Sequence, residues 1–112
     1  MDCIFCKIVD GSIPSKKVYE DDQIVCFYDL EPQAPVHALI IPKAHIACVD
    51  DINESNSSVV AHIFEKAPEI AKSLGLENGY RLVSNCGADA GQTVFHLHFH
   101  LLGGKKLNTN MA

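Results

Sequence analysis

The residues best suited to chemistry in this chain lie together, in His96-Leu97-His98-Phe99-His100-Leu101-Leu102. Side chains of an extended segment alternate between faces. The spacing therefore predicts that His96, His98 and His100 share one side while Leu97, Phe99 and Leu101 enter a core on the other. A strand face that merely meets water ordinarily carries Thr, Lys or Glu, so three imidazoles in register point to a site. One candidate chemistry is metal binding. Neighbours on one strand face stand roughly 6.5–7 Å apart and the outer pair about 13 Å, so one ion bridges two rings and not readily three. The other is nucleophilic catalysis. A neutral imidazole is a good nucleophile near pH 7, a neighbouring ring can orient it, and adjacent rings resist sharing positive charge.

Immediately upstream, Gly87-Ala88-Asp89-Ala90-Gly91-Gln92-Thr93 would by itself be a plain turn. Beside the histidines it becomes a candidate anion loop. Gly91 lets backbone approach an anion closely, and Gln92 and Thr93 offer N–H and side-chain donors to phosphate oxygens. A nucleophile next to an anion loop points to phosphoryl or nucleotidyl transfer. His37 opens another apolar run and would orient a ring of the array if the two strands are neighbours. A second cluster is Cys3-Ile4-Phe5-Cys6, which has the spacing of half a zinc site; the competing reading is two ordinary cysteines on a short helix. The chain has five cysteines, an odd number that argues against a disulfide scaffold. Cys26, inside an apolar run, reads as a small buried hydrophobe, Cys48 and Cys86 lie beside turn residues without an assigned role, and His62 reads as a surface or packing histidine.

Positioning these groups requires short alternating elements. Cys3 to Asp10 suits a short helix stopped by Gly11. Lys17 to Glu20 and Gln23 to Tyr28 are β-like runs joined by a turn at Glu20-Asp21-Asp22. Asp29 to Pro35 is a loop, Ala38 to Ile41 a third strand stopped by Pro42, Tyr80 to Asn85 a fourth and Phe95 to Leu102 a fifth. Val59, Val60, Ile63, Ala67, Ile70, Ala71 and Leu74 recur at helical spacing, with Ser55, Ser57 or Ser58 as cap and Gly75 as stop. Pro68 should kink or split that helix. The tail from Lys105 is polar. These elements predict one α+β domain over residues 1–112, with a five-stranded, mostly antiparallel sheet, one long helix and one short helix.

At 112 residues and 47% apolar composition, the chain can bury one core. The net charge of -5 disfavours binding to nucleic-acid polymers. No apolar run spans a bilayer and no signal peptide is apparent, so a cytoplasmic protein without a membrane partner is expected.

The quoted motifs resemble those of the histidine triad (HIT) family, defined by His-x-His-x-His-x-x with apolar x. Gly91-Gln92-Thr93-Val94-Phe95, Gly103-Gly104, Ala34-Pro35-Val36-His37 and Ile41-Pro42-Lys43-Ala44-His45 resemble it too, so the likeness runs from about Cys3 to Gly104. The most similar branch is the Hint group of nucleoside phosphoramidate hydrolases. These are homodimers whose sheets join into one. The resemblance implies His98 as nucleophile, His100 and Thr93 at the phosphate, Gly91 and Gln92 in its loop, and His37 supporting the histidines. It implies Asn85 near the phosphate, Asp29 on the ribose hydroxyls with Leu30 beside it, and Ile4, Phe5, Ile8, Ile13 and Phe27 as an apolar clamp on a purine. Bacterial HIT proteins and galactose-1-phosphate uridylyltransferases further imply a structural zinc held by Cys3, Cys6, His45 and His96, with no metal needed for catalysis. Departures are Thr93 where Ser is frequent, the Cys pair that animal Hint enzymes lack, and a tail without their aromatic C-terminal segment.

The expected activity is cleavage of purine nucleoside 5′-phosphoramidates through a nucleotidyl-histidine intermediate, releasing the nucleoside monophosphate. The alternatives are a dinucleoside polyphosphate hydrolase, a metal-dependent hydrolase and a nucleotide-binding module with little turnover.

Overall fold

A computed structural model of the chain describes residues 3–110. Its strands are β1 (Lys17–Glu20), β2 (Ile24–Tyr28), β3 (Val36–Pro42), β4 (Tyr80–Val83) and β5 (Phe99–Gly103), and its helices α1 (Ile4–Asp10) and α2 (Ser57–Ser73). The sheet order is β1-β2-β3-β5-β4, and every neighbouring pair is antiparallel. This is the expected α+β architecture.

The central strands are mostly apolar, His37 and His100 apart, because both faces of the sheet are covered. On one face Ile24, Cys26, Ala38, Ile40, Phe99 and Leu101 meet Ile63, Ala67, Ile70 and Ala71 of α2. On the other, Val25, Phe27, Leu39 and Ile41 meet Phe5 and Ile8 of α1. Leu39 stands opposite His100 in the β3–β5 ladder, and directly opposed residues share a face. The histidine array therefore opens toward α1, away from the long helix. Gly103 carries no side chain for a reason of space: a Cβ there would sit 2.8 Å from a methyl of Leu76.

Several element bounds differ from the sequence expectation; β3 starts at Val36, before Ala38, and carries on through Pro42. β5 begins at Phe99 and not at Phe95. Continuing the β3–β5 register would set Pro42 against Leu97, but Pro42 has no N–H and its carbonyl accepts from the His96 ring at 2.8 Å. Leu97 instead donates its N–H to the Ile46 carbonyl at 2.6 Å. β4 ends at Val83 rather than Asn85, and the next hydroxyl, Ser84, donates to the His98 carbonyl at 2.9 Å. Pro68 does not split α2. It lies on the exposed side between buried Ala67 and Ile70, where the carbonyl it leaves unpaired can turn to water. No serine caps α2; Asn56 occupies that position.

The β1–β2 turn is built around one carboxylate. Asp21 accepts from the N–H groups of Gln23 and Ile24 at 2.8 and 3.0 Å, from Tyr19 Oη at 2.8 Å and from His62 Nε2 at 2.7 Å. Desolvation opposes its ionisation, but these four donors outweigh it and hold the carboxyl well below the usual carboxylate range. His62 thus ties α2 to the hairpin instead of merely filling surface. Removing the carboxylate in Asp21→Ala should cost about 1–3 kcal/mol, the range for orphaning several partly buried donors. Urea unfolding checks this: an unchanged midpoint would show that the turn is held by the strands alone.

Candidate active site and metal site

The protonation of the histidines follows from their fixed partners. The backbone N–H of Gln33 donates to His37 Nδ1 at 2.9 Å, so neutral His37 carries its proton on Nε2. That Nε2–H donates to His100 Nδ1 at 2.8 Å, which leaves His100 with its proton on Nε2. Independently, His98 Nδ1 lies 2.7 Å from the His96 carbonyl. A carbonyl only accepts, so neutral His98 carries its proton on Nδ1 and keeps the lone pair on Nε2. The two rings stand 5.1 Å apart between centroids. The site therefore presents one ring nitrogen able to attack and one N–H able to donate.

Burial keeps the His37–His100 pair uncharged. Desolvation pushes His100 down to about 4, assisted by the neighbouring His98 and His37. Burial likewise lowers His37, against the pull of Asp29, and lowers His96. Phe5 packs edge-on against the His98 ring at 5.1 Å, supplying part of the dry wall. Asp29, His37 and His100 also stand close enough to suggest a cation site. The 2.8 Å contact between the two ring nitrogens is instead a hydrogen-bond length, shorter than the roughly 3.3 Å that two nitrogens span on a tetrahedral ion.

These side chains border a cavity of about 410 Å³, within the size range of small-molecule sites. Ile4, Phe5, Ile8, Ile13, Phe27, Asp29, Leu30, His37, Thr93, His98 and His100 all line it, as do Pro14, Ser15, Lys16, Tyr28 and Gln33, which the sequence did not single out. Leu30 is 96% exposed and stands at the rim. Asn85, Gly91 and Gln92 are not among the lining residues. Gln92 is buried as a brace: its Nε2 donates to the Ala47 and Val94 carbonyls at 2.9 and 3.0 Å, and its Oε1 accepts from the Gly87 N–H at 2.9 Å. Gly91, at φ +79°, makes the left-handed step that brings the chain back to Thr93.

Cys3, Cys6, His45 and His96 converge with their donor atoms within 4.8 Å of one another, a group that can hold a metal ion. Cys3 Sγ is 3.3 Å from His96 Nδ1, and Cys6 Sγ is 3.2 Å from His45 Nδ1 and 3.5 Å from His96 Nδ1. Sulfur and nitrogen on a tetrahedral zinc-sized ion are about 3.5 Å apart. His96 Nε2 is occupied as donor to Pro42, so Nδ1 offers its lone pair to the group. Desolvation and the adjacent Cys3 push the Cys6 thiol up to about 11. This thiol keeps its proton until a cation displaces it.

A family model described as the scavenger mRNA decapping enzyme C-term binding family matches residues 2–111. Among solved structures, a HIT family hydrolase from Clostridium thermocellum shares 51% identity at a TM-score of 0.96, covering 99% of this chain and 97% of that one. The chain belongs to the histidine triad (HIT) family. A histidine triad protein from Clostridium difficile shares 50% identity at a TM-score of 0.94, over 98% of this chain and 96% of its own. An uncharacterized HIT-like protein of Synechocystis is 47% identical over 104 residues, 93% of this chain and 91% of that protein. The HIT motif thus sits in two environments here, with His96 in the metal-capable group and His98 and His100 at the cavity.

Below the ordinary imidazole value of 6.5, an unfolded chain takes up a proton that folded His100 refuses until about pH 4. The unfolded state then binds more protons, so stability should fall as pH drops through that window and be flat above it. His100→Gln, which cannot titrate, should show a shallower loss between pH 7 and 4.5 by thermal unfolding. Equal slopes in both proteins would contradict the assignment.

Proposed function

We propose that this HIT protein hydrolyses purine nucleoside 5′-phosphoramidates through a covalent nucleotidyl intermediate on His98. The observation that carries this reading is the free lone pair on His98 Nε2, fixed by the hydrogen bond from Nδ1 to the His96 carbonyl, at a cavity bordered by the His37–His100 chain. The neighbouring HIT family hydrolase supports hydrolase chemistry in general.

In the first step His98 Nε2 attacks the α-phosphorus and the phosphorus–nitrogen bond breaks. The amine departs with a proton from the medium. His100, held neutral, donates its Nε2–H to a phosphoryl oxygen as charge develops there. Thr93 adds its hydroxyl, and Gly91, Gln92 and Asn85 shape the phosphate end. In the second step water attacks the phosphorus, the bond to His98 breaks, and the nucleoside monophosphate leaves. Ile4, Phe5, Ile8, Ile13 and Phe27 clamp the purine, with Asp29 and Leu30 at the ribose. The catalytic set is His98, His100 and His37.

The Cys3, Cys6, His45 and His96 group would hold zinc: two thiolates and two imidazoles at tetrahedral spacing suit that ion. Four protein ligands close its shell, so its contribution is structural and catalysis needs no metal. Two copies would pair along β4, which ends the sheet and exposes Tyr80, to make a homodimer with one extended sheet. Five free thiols fit the reducing cytoplasm, and among the described residues no helix is long and apolar enough to cross a membrane.

Wild type should cleave adenosine 5′-phosphoramidate faster than diadenosine tetraphosphate, and His98→Ala should lose more than about 1,000-fold in kcat/KM while staying folded. Intact-mass spectrometry should show an adenylated protein that His98→Ala lacks. Preference for the dinucleotide would move the assignment to polyphosphate hydrolysis, and a folded wild type that binds AMP without turning over either compound would make it a binding module.

Zinc removal gives a separate readout. Chelation, or Cys6→Ser, should lower the thermal midpoint by about 10 °C or more, as loss of a structural metal does in small domains. The rate per folded molecule should persist. A rate that collapses with no change in the unfolding curve would assign the metal to catalysis.

A further inference from the structure

A second thiol cluster lies away from both sites. The side chains of Cys48, Asp50 and Cys86 converge with their donor atoms within 4.8 Å of one another. Cys48 precedes the 3₁₀ turn Val49–Asp51, and Cys86 precedes the Gly87–Gly91 loop that leads to Thr93. Both thiols are free and partly exposed. The segments that carry them are already tied by one side chain. Gln92 Nε2 donates to the carbonyl of Ala47, next to Cys48, and Gln92 Oε1 accepts from the N–H of Gly87, next to Cys86. We propose that Cys48 and Cys86 form a redox-active dithiol, oxidised by low-molecular-weight disulfides to an intramolecular bond that staples the Gly87–Gly91 loop to the segment after β3.

The chemistry is two successive thiol–disulfide exchanges. One cysteine thiolate attacks a sulfur of glutathione disulfide, forming a mixed disulfide and releasing one glutathione thiolate. The second cysteine thiolate attacks the protein sulfur of that mixed bond, forming Cys48–Cys86 and releasing the other. The two cysteines lose two electrons and two protons, and two glutathione molecules gain them. A metal reading is weaker here, because this group offers three donors of which Asp50 is exposed, whereas the Cys3 group offers four.

Two features set the character of the switch. Gln92 has already fixed the loop ends relative to one another, so closing the bond needs little new ordering of the folded chain. The Asp50 backbone N–H favours the Cys86 thiolate, but the adjacent Cys48, desolvation and the Asp50 charge together raise this thiol above its ordinary value. Exchange should therefore be slow at neutral pH and quicken toward pH 9.

The test incubates the full-length, zinc-loaded protein with glutathione disulfide at pH 7 and pH 9, followed by non-reducing tryptic mapping. Cys48 and Cys86 fall on the separate fragments 44–66 and 82–105, and neither carries Cys3, Cys6 or Cys26. The expected product is those two fragments joined, lighter by two hydrogen atoms than their sum, forming faster at pH 9 and reverting with dithiothreitol. It should raise the thermal midpoint by about 5 °C or more, and Cys48→Ser and Cys86→Ser should each abolish both changes. Separate glutathione adducts on the two cysteines without a cross-link would overturn the proposal. So would a Cys3–Cys6 bond formed in its place, or a cross-link that lowers the midpoint.

Discussion

Much of this structure depends on the three bonding groups of His96. Its ring Nε2–H is held by the Pro42 carbonyl, its Nδ1 faces the thiols of Cys3 and Cys6, and its own carbonyl accepts from His98 Nδ1. Each contact constrains the next. The Pro42 bond selects the tautomer that offers Nδ1 to the cysteines and ends the β3–β5 ladder early, leaving the His96 carbonyl free of a strand partner. That carbonyl in turn selects the His98 tautomer with a bare Nε2. A single buried imidazole thereby links the metal-capable group to the nitrogen proposed to react, with no side chain shared between the two sites.

The remaining histidines rely on dryness. A hydrogen-bonded run from Gln33 through His37 to His100 would scramble if any ring took a second proton, because both nitrogens of an imidazolium are donors. Burial of these rings where β3 meets β5 prevents this by making the cation costly. The apolar residues that form one wall of the cavity, Phe5 foremost, also pack against the His98 ring. Packing and chemistry draw on one set of side chains.

Much of this was legible in the sequence. Period-two alternation placed His100 opposite the core residues Phe99 and Leu101, and the resemblance to bacterial HIT proteins implied one group of Cys3, Cys6, His45 and His96 although His45 and His96 lie far apart in the chain. What the pattern did not show was where backbone groups would go. The fifth strand is shorter than its alternation suggests because a proline carbonyl is claimed by a side chain, and nothing local in Phe95 to His98 reports that. Gln92 is read as a phosphate donor when its neighbours are considered alone, and as a loop brace once Ala47, distant in sequence, is beside it. Gln33 and Ser84 act through one backbone and one hydroxyl donor, signals too common to stand out.

The short helix α1 shows why a metal-capable group belongs at this end of the molecule. Seven residues are too few for a helix to persist on its own. Its apolar contacts, chiefly Phe5 and Ile8, are also walls of the cavity, so they cannot be enlarged into a bigger core without closing the site. Cys3 meets this conflict by acting twice: its sulfur accepts from the Cys6 N–H at 3.2 Å as the helix cap and faces His96 as a prospective ligand. Anchoring the helix through sulfur at its first turn leaves its apolar face free to line the cavity. On this reasoning the CxxC pair and the open clamp depend on each other: a chain that lost the cysteines would need other contacts to hold α1, and the space for them is the space the ligand would use.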